Sequence, residues 1–179
     1  MAKKPPPKLV TSLPPMDDDQ LEWESAIGKF MVAFTAIEQV IDLIIMHFSS
    51  NRLADAVLDL PFERRCTIAH ALAADQSDNA LRWIQIKDEI NRATQLAKSR
   101  NLVAHNSPSL SIYVSEDGQV QVKRELKNLR KGKQITLPEL DRRTVEAKEL
   151  SLRLYNLLTS LKKYQKPGLL GGSALDAKE

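Results

Sequence analysis

The chain has 179 residues, 42% of them hydrophobic, and a formal net charge of +3. That length and apolar content fit one folded domain with a sizeable core, and so small a net charge leaves any nucleic-acid footprint to local clustering rather than bulk attraction. The single cysteine, Cys66, excludes internal disulfides and a four-cysteine zinc site, and it points to a reducing compartment, so a cytoplasmic location is expected.

Residues 1–18 open the chain as a Pro/Lys-rich arm, with Lys3, Lys4 and Lys8 among five prolines. No apolar segment follows this basic start, so it does not read as a secretory signal; the composition predicts an extended, disordered arm. A long helix is expected over 19–48, because Ile27, Phe30, Phe34, Ile37, Ile41, Ile44 and Phe48 recur three and four apart. Its most apolar part, from Phe30 to Phe48, is interrupted by Glu38 and Asp42, so no membrane span is expected. Ser50 or Asn51 can cap a short helix over 52–59, and Pro61 suits the start of a third helical segment over 62–74. The 77–79 stretch, Ser-Asp-Asn, supplies the next cap, and a helix over 80–106 follows, stopped by Pro108.

The period then changes to two. Ile112 and Val114 alternate with polar residues, as do Val120 and Val122, around Asp117-Gly118, which predicts a β-hairpin at about 110–124. A basic run comes next: Lys123, Arg124, Lys127, Arg130, Lys131 and Lys133, with Glu125 as its one acid. Such a run could track an RNA backbone, or it could be a solvated strand edge whose lysines discourage pairing. No aromatic residue interleaves it, so a base-stacking platform is not indicated. Thr136 and Glu139 have capping-box spacing at the start of a last helix, whose apolar face runs from Leu140 through Leu150, Leu157 and Leu161 to Tyr164. Residues 167–179 read as a disordered tail, leaving 19–166 as the helical domain. The fold class expected is all-α, a bundle of four to five helices with one inserted hairpin.

Chemistry concentrates at the end of the fourth predicted helix. The apolar stripe Trp83, Ile86, Ile90, Ala93, Ala97 continues onto Arg100 or Asn101 and then Ala104 or His105. Polar groups thus land where the helix was burying carbon, and a guanidinium there needs an acid or a ligand. Arginine offers a planar fork matched to phosphate, and histidine is the side chain that ordinarily titrates near neutrality. Asn101 and His105 are four apart, about 40° around a helix, and can touch; Arg100 and His105 are about 140° apart. The second pair converges more naturally across a two-fold than within one protomer, which favours a homodimer.

Arg100, Asn101 and His105, with four residues between the Arg and the His, resemble the motif of the HEPN superfamily (higher-eukaryote and prokaryote nucleotide-binding). The resemblance covers the helical body, roughly 20–165, and its specific part is the motif. It implies a dimerising helical bundle, a HEPN-like domain that in active members is a metal-independent endoribonuclease with no cofactor. In that chemistry the ribose 2′-hydroxyl attacks the adjacent phosphate, leaving a 2′,3′-cyclic phosphate and a 5′-hydroxyl. The implied roles are proton transfer by His105, stabilisation of the phosphorane by Arg100, and orientation of the imidazole or a phosphate oxygen by Asn101. The family also implies RNA as ligand, a defence or toxin–antitoxin setting, and a cognate antitoxin or nucleotidyltransferase-type partner. Toxin-type members often carry Tyr two residues after the His, where this chain has Ser107.

Glu38 lies beside the apolar seam of the first helix and has two readings, an acid that orients Arg100 or His105 and a flank carboxylate paired with a basic residue. Asp42, one turn on, repeats the idea. His47, His70 and the Cys66–His70 spacing do not amount to a metal site, so no metal is expected. The alternative to the ribonuclease is a non-catalytic HEPN-like module that binds nucleotide, RNA or protein.

Overall fold

The computed structural model describes residues 17–74, 80–115, 117–128 and 132–161. The readings for 1–16, for the cap at 77–79, for Arg130 and Lys131, and for everything past Leu161 fall outside the described residues.

Five helices and three strands follow in the order α1 (Asp17–Phe48), α2 (Asn51–Leu58), α3 (Phe62–Ala74), α4 (Ala80–His105), β1 (Pro108–Val114), β2 (Val120–Asn128), β3 (Lys133–Ile135) and α5 (Leu137–Thr159). α1 is the central helix and packs against α5, α3 and α4. Its seam residues Phe30, Phe34, Ile37, Ile41 and Ile44 are essentially fully buried. Each such side chain contributes about 1.5–3 kcal/mol, so packing rather than helix propensity holds α1 straight through the bundle. Phe34 meets Phe62 of α3 edge-on at 5.1 Å, and Phe48 meets Trp83 of α4 at 4.7 Å, which fixes the two ends of the α3–α4 pair on α1.

By length and composition alone Asp19–Phe48 is apolar enough to cross a membrane, a property that the core helix of a folded bundle shares, and 44% of its most apolar window is buried inside the bundle.

Ser50 is the cap of α2, its Oγ accepting from Leu53 N at 3.4 Å. The capping box expected for α5 does not form. Thr136 makes no side-chain cap bond, and Glu139 instead accepts from Arg142 and Arg143, at 2.7–2.9 Å. Two charge-assisted partners one turn away outcompete one neutral backbone N–H. Pro in the first turn leaves α5 with one donor fewer to satisfy.

The expected bundle of four to five helices with an inserted hairpin is found in outline: the fold is mostly helical, with five helices and a small antiparallel sheet of order β1-β2-β3 among the described residues. The hairpin turns at Gly118, whose φ of 81° suits glycine, and pairs Ile112 with Val122 and Val114 with Val120. It is longer than 110–124 and gains a third strand, because Leu126 opposes Ile135 and both are buried against the helices. These two apolar positions are separated by a basic stretch, which hid their pairing. Pro108 opens an edge strand, where a missing N–H costs no ladder bond.

Cys66 is 2% exposed, and burial pushes its thiol up to about 11 although Thr94 hydrogen-bonds to it. Alkylation of the native protein near pH 8 is therefore expected to be at least about 100-fold slower than in denaturant. Reaction at the denatured rate would show that α3 opens readily from α1.

Candidate active site at the end of the fourth helix

The α4 stripe ends as its sequence predicts. Trp83, Ile86, Ile90, Ala93 and Ala97 are all buried, and the next position on the same face is Arg100. Its guanidinium is held on three sides. Nη2 donates to Glu38 Oε1 of α1, Nη1 donates to Asn101 Oδ1 at 3.1 Å, and the charge lies 5.4 Å from the Phe34 ring centre. Glu38 thus pairs with Arg100, and among the described residues no hydrogen bond or ion pair joins it to His105.

A second arginine completes the cluster. Arg65 of α3 donates to Asp42 Oδ1, stands 4.0 Å from Glu38 Oε2, and covers the Phe62 ring at 5.7 Å. Its Nε is buried without a hydrogen-bond partner among the described residues. The charges alternate as Arg100, Glu38, Arg65, Asp42 and sum to zero. Burial pushes the Asp42 carboxyl above its ordinary value, opposed by the hydrogen bond and charge of Arg65 and reinforced by Glu38. Such a half-buried network holds its members only while each charge keeps its partner, since removing one strands the next.

Arg65 was not foreseen. The signal was present: it stands three residues after Phe62 and one before Cys66, at the edge of the apolar face of α3, as Arg100 does on α4.

Two adjoining openings expose this region. One, of about 410 Å³, is lined by Pro61, Phe62, Arg65, Arg100 and Asn101. The other, of about 400 Å³, is lined by Lys98, Asn101, His105, Asn106 and Asn128. Asn101 and Glu63 line both, so Arg100 and His105 open onto neighbouring clefts with the Asn101 amide between them. His105 is exposed in the last turn of α4, and among the described residues no hydrogen bond joins it to Arg100. Asn106 closes that helix end, its Nδ2 donating to Leu102 O at 2.7 Å.

The basic run is not gathered at these clefts. The pleat of β2 sends Lys127 to the opposite face from Arg124. The Arg124 side chain is 7% exposed and bridges to Asp19 of α1 at 3.2 Å, away from the motif. The far end of the run comes closer through backbone register, with Lys133 opposite Asn128, which lines the His105 cleft. Among the described residues, no three His, Cys, Asp or Glu side chains converge as a metal-binding group.

No family model, curated protein or solved structure matches this chain.

Proposed function

We propose that the chain is a HEPN-like, metal-independent endoribonuclease acting as a homodimer. The observation that carries this reading is the placement of Arg100, Asn101 and His105 along two adjoining clefts, with the Arg100 guanidinium held by Glu38. A guanidinium has five donors, and two of them serve Glu38 and Asn101. Those remaining can meet a phosphate entering the first cleft, already oriented and so without a large ordering cost.

RNA brings its own nucleophile. His105 takes the proton from the ribose 2′-hydroxyl, the 2′-oxygen bonds to phosphorus, and Arg100 meets the charge that builds on the phosphorane oxygens. The bond from phosphorus to the 5′-oxygen then breaks, and that oxygen leaves with a proton from a second, protonated imidazole. A dimer supplies that imidazole, and it relieves the 140° mismatch between Arg100 and His105. A cognate antitoxin or nucleotidyltransferase-type protein is the partner class this reading suggests.

A second reading has its own support. Glu38 already neutralises Arg100, and Arg65 and Asp42 cancel, so the cluster carries no net charge with which to draw RNA in. This weighs against a phosphate-cleaving centre and supports the alternative, a non-catalytic HEPN-like module that binds nucleotide, RNA or protein. Incubating the purified protein with mixed RNA in excess EDTA separates the two. Cleavage that disappears in His105→Ala supports the enzyme; retention of RNA without cleavage leaves the binding module.

A further inference from the structure

The β1–β2 hairpin has one apolar face. Side chains two apart along a strand share a face, so Leu110, Ile112 and Val114 of β1 lie beside Arg124, Val122 and Val120 of β2. The same face carries Leu126, which is buried against the helices. Cover is lost row by row toward the turn. Leu110 is 40% exposed, Ile112 62% and Val114 68%, and Val120 and Val122 are exposed beside them. The opposite face is polar, with Ser109, Ser111 and Gln121 on it, and there the Tyr113 hydroxyl donates to Glu125 at 3.3 Å. An antiparallel sheet ordinarily packs its apolar face and leaves the polar one to water. Among the described residues β3 pairs with Leu126, Lys127 and Asn128 alone, so the outer rows form a two-stranded ribbon. Such a ribbon is marginal in water unless its apolar face is packed.

We propose that Leu9–Met16, the chain just ahead of α1, lies extended across this face and covers Ile112, Val114, Val120 and Val122. The entry of α1 selects this occupant. Asp19 bridges to Arg124 at 3.2 Å, and Gln20 and Trp23 line an opening of about 410 Å³ together with Leu110 and Arg124. The first turns of α1 therefore cover the row Leu110–Arg124. α1 begins at Asp17, so the chain preceding it leaves from the last covered row, next to the uncovered ones.

Composition, length and charge agree with this path. Leu9, Val10, Leu13 and Met16 supply apolar side chains, and Pro14-Pro15 favours an extended course where the segment leaves α1. Extended, Leu9–Met16 spans about 25 Å, and the hairpin runs about 23 Å from Arg124 to Asp117. Lys8 then arrives at the turn, where Asp117 is exposed. A tethered segment also acts at an effective concentration of about millimolar, well above that of a free partner at micromolar levels. The disordered stretch expected over 1–18 shortens to 1–8. The inference does not depend on the ribonuclease reading.

Hydrogen exchange of the full chain tests the inference. The double substitution Val10→Asp, Leu13→Asp should speed exchange of the hairpin amides outward of Leu110 and Arg124 by about tenfold or more, with α3 exchanging as in wild type. The reciprocal change should release the arm. With Ile112→Ser and Val122→Ser together, thermolysin should cut at Leu9, Val10 and Leu13 about tenfold faster than in wild type. Should the hairpin variant disturb α3, the arm variant alone decides. Hairpin exchange unchanged by the arm variant overturns the inference, as does a wild-type arm cut as fast as a free peptide of the same sequence. Hairpin protection that survives the arm variant and grows with protein concentration also overturns it, and makes a second copy the occupant. Protection that appears only with phosphatidylcholine–phosphatidylglycerol vesicles overturns it in favour of a lipid surface.

Discussion

Replacing His105 by alanine is expected to lower RNA cleavage by about 100-fold or more while leaving RNA binding within a few-fold of wild type. The side chain is exposed at the end of α4 and holds no other described element in place, so its loss should not disturb the fold. Arg100→Ala should lower cleavage by a similar factor and weaken binding as well, because it removes a phosphate-matched cation from the first cleft. It also strips Glu38 of its nearer partner, so its melting temperature must be measured beside its rate. Single-turnover cleavage and filter binding on the same RNA separate the effects. Loss of binding in His105→Ala, with the rate per bound complex unchanged, would assign that residue to affinity rather than to proton transfer.

Glu38→Ala should be the most destabilising single change in the charge network, costing about 2–4 kcal/mol. Glu38 is 21% exposed and stands between Arg100 and Arg65, which are 25% and 11% exposed, so its removal leaves two largely buried guanidiniums with only Asp42 between them. For a domain near this size, that is a fall in melting temperature of roughly 5–15 °C. Glu38→Gln should recover part of the loss, since it keeps an acceptor for Arg100. Asp42→Asn should cost less than Glu38→Ala. Burial raises the Asp42 carboxyl, so the folded state holds that proton more tightly than the unfolded chain. Its ionisation therefore opposes folding as pH climbs from the ordinary carboxylate range through the raised value. An amide there drops that cost and can still accept from Arg65. Thermal melts of the three variants check the order, and a Glu38→Ala protein that melts with wild type would show that the network holds nothing together.

The helical scaffold was legible because its period is strict. The α1 seam and the α4 stripe repeat without a miss, and Pro61 and Pro108 punctuate them where the helices begin and end. The third strand was not legible, because Leu126 and Ile135 are apolar islands whose partners are set by tertiary packing rather than by local alternation. The failed capping box has the same origin: spacing places Thr136 and Glu139 correctly, but Arg142 and Arg143 compete for the carboxylate. At the site, the Arg100–Glu38 pairing could be anticipated because both residues interrupt apolar faces. Arg65 met the same criterion and was missed, since nothing in the chain says that α3 brings its edge to Glu38. The basic run read as one patch because a linear list of lysines and arginines ignores the pleat, which divides Lys127 from Arg124.

Mapping the ends of RNA cut by the wild-type protein in excess EDTA tests the central claim most directly. The fragments should end in 2′,3′-cyclic phosphate and begin with 5′-hydroxyl, which only internal attack by the ribose hydroxyl leaves behind. Fragments with 5′-phosphate ends, or cleavage that requires added divalent metal, would contradict the roles given to Arg100 and His105.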